Sequence, residues 1–227
     1  MQKHRSSESP GNVLRPSTPP DIAGTTQRQR IIDAIIESCE EKTYAATTIT
    51  DIVSRARISR TTFYKHFDDK RSCFDAALDR CLAELQRIAG ESHTPDDPPG
   101  DAARKAATAV LETLAAHPGL AQLLTGDAIA LQPKLVERYR RATVPALAAL
   151  WSRYGDEPVA HTDPRLAFGQ AQVLILNQIA IGKADRLPEL RGEIVYLTVS
   201  PYGGHEEALE QARCAREPET SGAMADR

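Results

Sequence analysis

Between Tyr44 and Lys70 the chain reads YAATTITDIVSRARISRTTFYKHFDDK, two short amphipathic segments with almost nothing between them. Ile49, Ile52, Val53 and Ala56 fall at i, i+3, i+4 and i+7, the spacing that gives a short helix one apolar stripe to bury. Thr47 or Thr48 can cap its start. A second helix can begin at Ser59, whose hydroxyl accepts from the first free backbone donors, and run to about Phe67 before Asp68. Only a few residues remain to join the two, so the pair predicts a helix-turn-helix.

At 100° per residue, Phe63 and Phe67 share one side of the second helix, with Ser59 and His66 beside them, and that side must be the buried one. Thr61 and Lys65 point most directly away from it, flanked by Tyr64 and Thr62, with Arg60 at the amino-terminal edge. This set suits a major groove. A lysine or arginine donates to guanine O6 and N7, a threonine offers thymine a methyl group or either base a hydroxyl, and hydroxyls and imidazoles reach phosphates. Arg60, Thr61 and Lys65 are therefore the expected base readers; Thr48, Thr62, Tyr64, His66 and Lys70 are the expected phosphate contacts. Lys70 would stand in the first turn of another helix that starts after Asp68 and Asp69, where free backbone N–H groups also favour phosphate. His66 has an equal alternative, packing at the helix end or meeting its dipole.

Residues 26 to about 89 resemble the DNA-binding domain of the TetR family of bacterial transcriptional repressors. The resemblance rests on Thr47-Thr48-Ile49, Asp51-Ile52, Ala56, Ile58-Ser59, Thr62-Phe63-Tyr64, His66-Phe67 and Lys70, in that family's order and spacing. It implies an all-α fold: a three-helix, homeodomain-like head with its third helix in the major groove, and a fourth helix leading to a larger helical domain that dimerises and usually binds a small molecule. One position departs. Arg57 stands where the family usually has glycine, and a left-handed backbone there would cost about 1–2 kcal/mol.

A net charge of −3 looks wrong for a nucleic-acid binder until it is divided along the chain. Within residues 55 to 71, Arg55, Arg57, Arg60, Lys65, Lys70 and Arg71 face two acidic residues, so positive potential is concentrated on the recognition element. Cys39, Cys73, Cys81 and Cys214 lack metal-ligand spacing, no cleavable signal peptide precedes them, and no apolar run approaches the roughly 20 residues of a membrane span. These features predict a soluble, cytoplasmic protein with packing cysteines. Its six histidines form no motif with cysteine or carboxylate, and neither a phosphate-binding glycine loop nor a nucleophile elbow appears, so no catalytic residue, cofactor or metal is expected.

Composition divides the rest. Residues 1–24, rich in Ser, Pro and Thr, predict a disordered tail; 25–89 form the DNA-binding domain, 101–216 a helical regulatory and dimerisation domain, and 217–227 a second disordered tail. Helices are expected from about Thr26 to Glu41, Asp69 to Ala89, and near 101–116, 118–130, 132–154, 164–184, 189–199 and 205–216, with a kink at Pro145. The segment 164–184 is apolar on two faces, Leu166, Val173, Leu176 and Ala180 on one and Phe168, Ala171, Ile175 and Ile179 on the other, which implies burial both in the core and against a second subunit.

In the family the effector lies within this larger domain. Leu123, Tyr139, Trp151, Tyr154 and Phe168 are candidates to line an apolar cavity, with Gln172 and Asn177 to orient a ligand or, alternatively, to meet across the dimer. The expected function is a homodimeric, sequence-specific regulator of transcription, a repressor released from a palindromic operator by a small, mostly apolar ligand. The competing reading is an architectural or partner-regulated DNA-binding protein with no small-molecule inducer.

Overall fold

The computed structural model describes residues 26–125, 141, 144–145, 147–155 and 164–217, all helical or loop with no strand among them. Its contacts divide the chain between Ala77 and Leu78 into two compact units. The expected terminal tails fall, apart from Glu217, outside the described residues, as does most of the expected helix 132–154.

In the first unit, α1 (Gln27–Glu41) starts at Thr26, whose hydroxyl accepts from the Gln29 amide. The helix buries Ile31, Ile32, Ile35 and Cys39. Next comes α2 (Ile49–Ala56), held at its start by a capping box: Thr48 Oγ1 accepts from the Asp51 amide while Asp51 Oδ2 accepts from the Thr48 amide at 2.8 Å. Thr48 is thus the cap, and Thr47 is buried, its hydroxyl donating to the Thr43 carbonyl at 2.9 Å. After α3 (Arg60–His66) and its cap Ser59, α4 (Lys70–Glu91) begins in this unit and continues into the second. Ile52, Val53 and Ala56 of α2, Phe63 and Phe67, and Cys73, Phe74 and Ala77 of α4 complete the core.

The turn between α2 and α3 explains the departure at Arg57. The Arg57 amide donates to the Ser54 carbonyl and the Ile58 amide to Val53 at 3.1 Å, the double closure of a Schellman motif. That closure needs a left-handed residue, and Arg57 has φ 53° and ψ 50°, the only positive φ outside glycine among the described residues. Arg30 of α1 donates to the carbonyls of Ala56 and Arg57, so the helix end is also held from outside.

In the second unit α5 (Pro99–Ala116) starts with a proline at its first turn, where the missing N–H is harmless. It is followed by α6 (Pro118–Thr125), a helical stretch over residues 147–151, α7 (Pro164–Ala180), a 3₁₀ turn (Ala184–Leu190) and α8 (Arg191–Arg216). The expected run to 184 stops at Ala180 because Gly182, at φ 74°, closes a second Schellman motif with Lys183 donating to Gln178. The two helices expected near 189–199 and 205–216 are both present, joined through Gly204, whose backbone (φ 79°, ψ 179°) leaves the helical region, and α8 denotes the pair. Val144 and Pro145 are helical, but residues 142–143 and 146 on either side of them lie outside the described residues, and so does any kink there. The core forms where α8 crosses α5, with Ala103, Val195, Val199, Ala208 and Ala215 packed together. Gly100 permits the close approach, since a Cβ there would run into Glu207 and Gln211 of α8.

Candidate nucleic-acid interface and effector cavity

Phe63 and Phe67 are buried with ring centroids 5.9 Å apart, and they fix which face of α3 turns outward. Ser59 closes the amino-terminal end, accepting from the Thr62 amide at 3.0 Å with the Thr62 hydroxyl 2.9 Å away. The outer face carries Thr61, Tyr64 and Lys65, all exposed. Tyr64 stands edge-on against Phe63 at 5.4 Å yet is 53 % exposed, an amphipathic ring whose body is steadied while its hydroxyl stays in solvent. Among the described residues Lys65 has no ion-pair partner. This is a rigid, short helix presenting two hydroxyl-bearing side chains and one ammonium on a single surface.

The remaining sequence-predicted contacts are placed differently. Arg60 folds back onto α2 and donates to Thr50 Oγ1 at 2.6 Å. Thr48 is exposed, but its hydroxyl also donates to Asp51 Oδ2 within the capping box. His66 Nε2 lies 3.4 Å from Gln27 Oε1, a long contact from α3 to α1. Arg55, counted above in the positive cluster, is ion-paired with Glu37 at 3.1 Å and with Glu41, so it ties α2 to α1.

Lys70 differs most from expectation. Its ammonium donates to the carbonyls of Tyr44 at 2.9 Å and Thr47 at 2.8 Å, and lies 4.2 Å from the centre of the Tyr44 ring. That ring in turn packs on Phe74 at 4.4 Å. Rather than reaching outward from the first turn of α4, the lysine holds the segment that leads into the α2 cap. The reason is that Tyr44 and Thr47 lie in a loop whose carbonyls have no helix to satisfy them. Lys42 makes a related bond at 2.8 Å to Asp51, and with the Thr48 bonds it holds that carboxyl down at about 2. Sequence reasoning missed Arg30, Tyr44 and Lys42; only the Thr48-x-x-Asp51 spacing of the capping box was visible as a local signal.

A cavity of about 240 Å³ opens in the second unit. Leu82, Leu85, Gln86 and Ala89 of α4 form one wall and Ala103, Ala106, Ala107, Val110, Leu111 and Leu114 of α5 another. Leu124, Leu147 and Leu150 contribute an edge, α7 supplies Ala171, Gln172, Ile175, Leu176 and Ile179, and α8 supplies Ile194 and Thr198. Of the residues expected to line it, Gln172 does. Leu123 is buried away from the wall, and Asn177 is exposed. Trp151 and Tyr154 are engaged with α8, the indole donating to the Thr198 carbonyl at 3.0 Å and stacked on Tyr202, the phenol donating to Glu207 at 2.9 Å. Tyr139 and the Phe168 side chain lie outside the described residues. The alanine face of α5 was missed because small residues on a helix look the same whether they pack or leave room. Among the described residues no cluster of His, Cys, Asp and Glu can hold a metal, and no helix is long and apolar enough to cross a membrane.

Residues 31–77 match the family model described as bacterial regulatory proteins, tetR family. The biofilm operon negative regulator IcaR of Staphylococcus aureus (strain Newman) is 34 % identical over 61 residues, which are 27 % of this chain and 33 % of IcaR; the chain thus spans a third of that relative's length. Among solved structures, the fatty acid degradation regulator FadR from Bacillus halodurans superposes with a TM-score of 0.62 at 17 % identity, covering 77 % of this chain and 95 % of FadR. FadR from Bacillus subtilis, solved in complex with stearoyl-CoA, gives 0.61 at 18 % identity, covering 76 % and 97 %.

Proposed function

We propose that this chain, whose residues 31–77 match the family model described as bacterial regulatory proteins, tetR family, is a member of that family and a homodimeric transcriptional repressor released from its operator by a small, mostly apolar ligand. The observation that carries the DNA-binding half is the outer face of α3, where Thr61, Tyr64 and Lys65 are exposed on a helix anchored from behind by Phe63 and Phe67. Lys65 and Thr61 read base edges in the major groove, and Tyr64 and Thr62 hold phosphates. Arg60 reaches a base edge only by leaving Thr50.

The dimer reading is supported by α7, which leaves Leu166 64 % and Val173 63 % exposed, with Ala180 and Asn177 on the same side. A two-fold dimer presents two α3 helices to half-sites about 34–36 Å apart, so the operator is palindromic. The cavity favours effector control over a purely architectural role. Its α4 wall lies on the helix whose first turn carries Lys70, so a ligand that prefers one arrangement of α4 shifts the protein between DNA-competent and released states.

The test is footprinting of the purified protein on the DNA flanking its own gene at stated salt, beside Lys65→Ala. A protected, two-fold symmetric site is expected, with the variant losing about 1–3 kcal/mol of affinity and relaxing its preference at one position. Weak binding, equal in both proteins and indifferent to sequence, would remove the repressor reading.

A further inference from the structure

We infer that the cavity of the second unit accepts an unbranched, saturated alkyl chain, an inference that deepens the effector reading above and rests on it. The wall sets the chemistry. Among the described residues it holds no aromatic ring and no carboxylate, ammonium, guanidinium or imidazole; apart from Gln86, Gln172 and Thr198 it is entirely aliphatic. A charged group drawn inside would lose its water without gaining a partner among the described residues. A chain of methylenes matches a surface of methyl and methylene groups at many points, and among the described residues no ring edge or face meets an aromatic ligand.

The shape and the few polar atoms narrow it further. Ala103, Ala106 and Ala107 of α5 and Ala171 of α7 all line the space, and short side chains at these positions take up little of it. The Thr198 hydroxyl is committed to the Ile194 carbonyl at 2.8 Å, and Gln86 has an interaction of its own. Among the described residues the Gln172 amide makes no hydrogen bond, so it is the group that meets a ligand's polar end.

The alkyl chain has two chemical sources, a free lipid-like molecule with a neutral head and a thioester of coenzyme A, and the experiment separates them. Full-length protein without DNA is titrated with 1-alkanols of four to twelve carbons, with acyl-CoA thioesters of the same lengths, and with phenylalkanols of matched carbon number. Binding is read by the fluorescence of Trp151, the chain's single tryptophan, which is bonded to the backbone of the cavity residue Thr198, and in parallel by thermal shift.

The dissociation constant is expected to fall up to about fourfold per added methylene as the series lengthens from four carbons, and phenylalkanols are expected to bind more weakly at equal carbon number. Equal slopes for alcohols and thioesters support the chain as the recognised element, and the tighter series identifies the source. Ala107→Leu should end the gain at a shorter chain, and Gln172→Leu should weaken the alcohols while leaving the slope; the length series on unaltered protein stands if either variant fails to fold. A flat dependence on length, tighter binding of the phenyl series, or no binding of any chain overturns the proposal. Because DNA is absent from these measurements, such a failure is distinct from failure of the footprint.

Discussion

Replacing Lys70 with methionine keeps an unbranched apolar stem and removes the ammonium, so it isolates what the charge does at the start of α4. The structure assigns that charge two carbonyl acceptors, Tyr44 at 2.9 Å and Thr47 at 2.8 Å, and the Tyr44 ring. A hydrogen bond to a charged group contributes about 1.5–3 kcal/mol and a partly exposed cation–π contact about 0.5–1. Two facts reduce the sum: the lysine is only half-buried, and the Tyr44 carbonyl keeps a bond from the Thr47 amide at 3.2 Å. A loss of about 2–3 kcal/mol is the expectation, enough to move the transition of a small domain by roughly 10–20 °C. Thermal unfolding followed by circular dichroism reads the loss, and hydrogen exchange at Thr47 and Thr48 locates it. The salt dependence of DNA binding gives the decisive contrast. A lysine neutralising a phosphate contributes about 0.9 to the slope of log affinity against log salt, and a lysine turned inward contributes nothing. Lys70→Met with unchanged stability and a slope lower by about one would refute the clamp and restore the phosphate contact.

Arg57→Gly should raise stability by up to about 1 kcal/mol, since the left-handed strain is relieved at the expense of a more flexible unfolded chain, and urea unfolding measures it. If DNA affinity is unchanged in that variant, the arginine has no part in binding. The carboxyl of Asp51 sits at about 2, below its ordinary 3.8, because Lys42 first and then the Thr48 backbone and hydroxyl favour the charged form. A depressed folded value means that its contribution is complete above pH 3.8 and is lost as pH falls through about 2. The stability gap between the protein and Asp51→Asn should therefore be constant from pH 7 to 5 and close toward pH 2. Val173→Asp, which places a charge on the exposed apolar face of α7, should yield monomers in sedimentation analysis and lower operator affinity, while the thermal transition of the amino-terminal unit stays in place.

The amino-terminal head could be read from sequence because its determinants are local. Thr48 and Ser59 each cap a helix through a bond to the amide three residues on, the stripe Ile52, Val53 and Ala56 repeats within two turns, and Phe63 with Phe67 orients α3. Even the left-handed state of Arg57 was foreshadowed, through the glycine that the resemblance expects at that position. What could not be read were bonds between residues far apart in the chain. Arg30 reaches Ala56 and Arg57, Arg55 reaches Glu37 and Glu41, and Lys70 reaches Tyr44 and Thr47; the last two are basic residues that the charge count assigns to DNA and that instead hold the head together.

The same distinction separates the two halves of the candidate machinery. Charge on a recognition helix advertises itself, because an uncompensated Lys65 in a compact head has few reasons to be there except a partner outside. A cavity advertises nothing. Aromatic residues drew attention as pocket walls, yet Trp151 spends its N–H on Thr198 and its face on Tyr202, and Tyr154 spends its hydroxyl on Glu207, so both serve the packing of α8. The space lies instead beside alanines 103, 106 and 107, where the side chain is too small to fill what α4, α5 and α7 leave between them. Apolar volume is set by the distance between helices, which is a property of the assembled bundle. Enlarging one of those alanines is therefore a sharper probe of the effector site than removing any of its aromatic neighbours, whose loss would disturb the core and the cavity together.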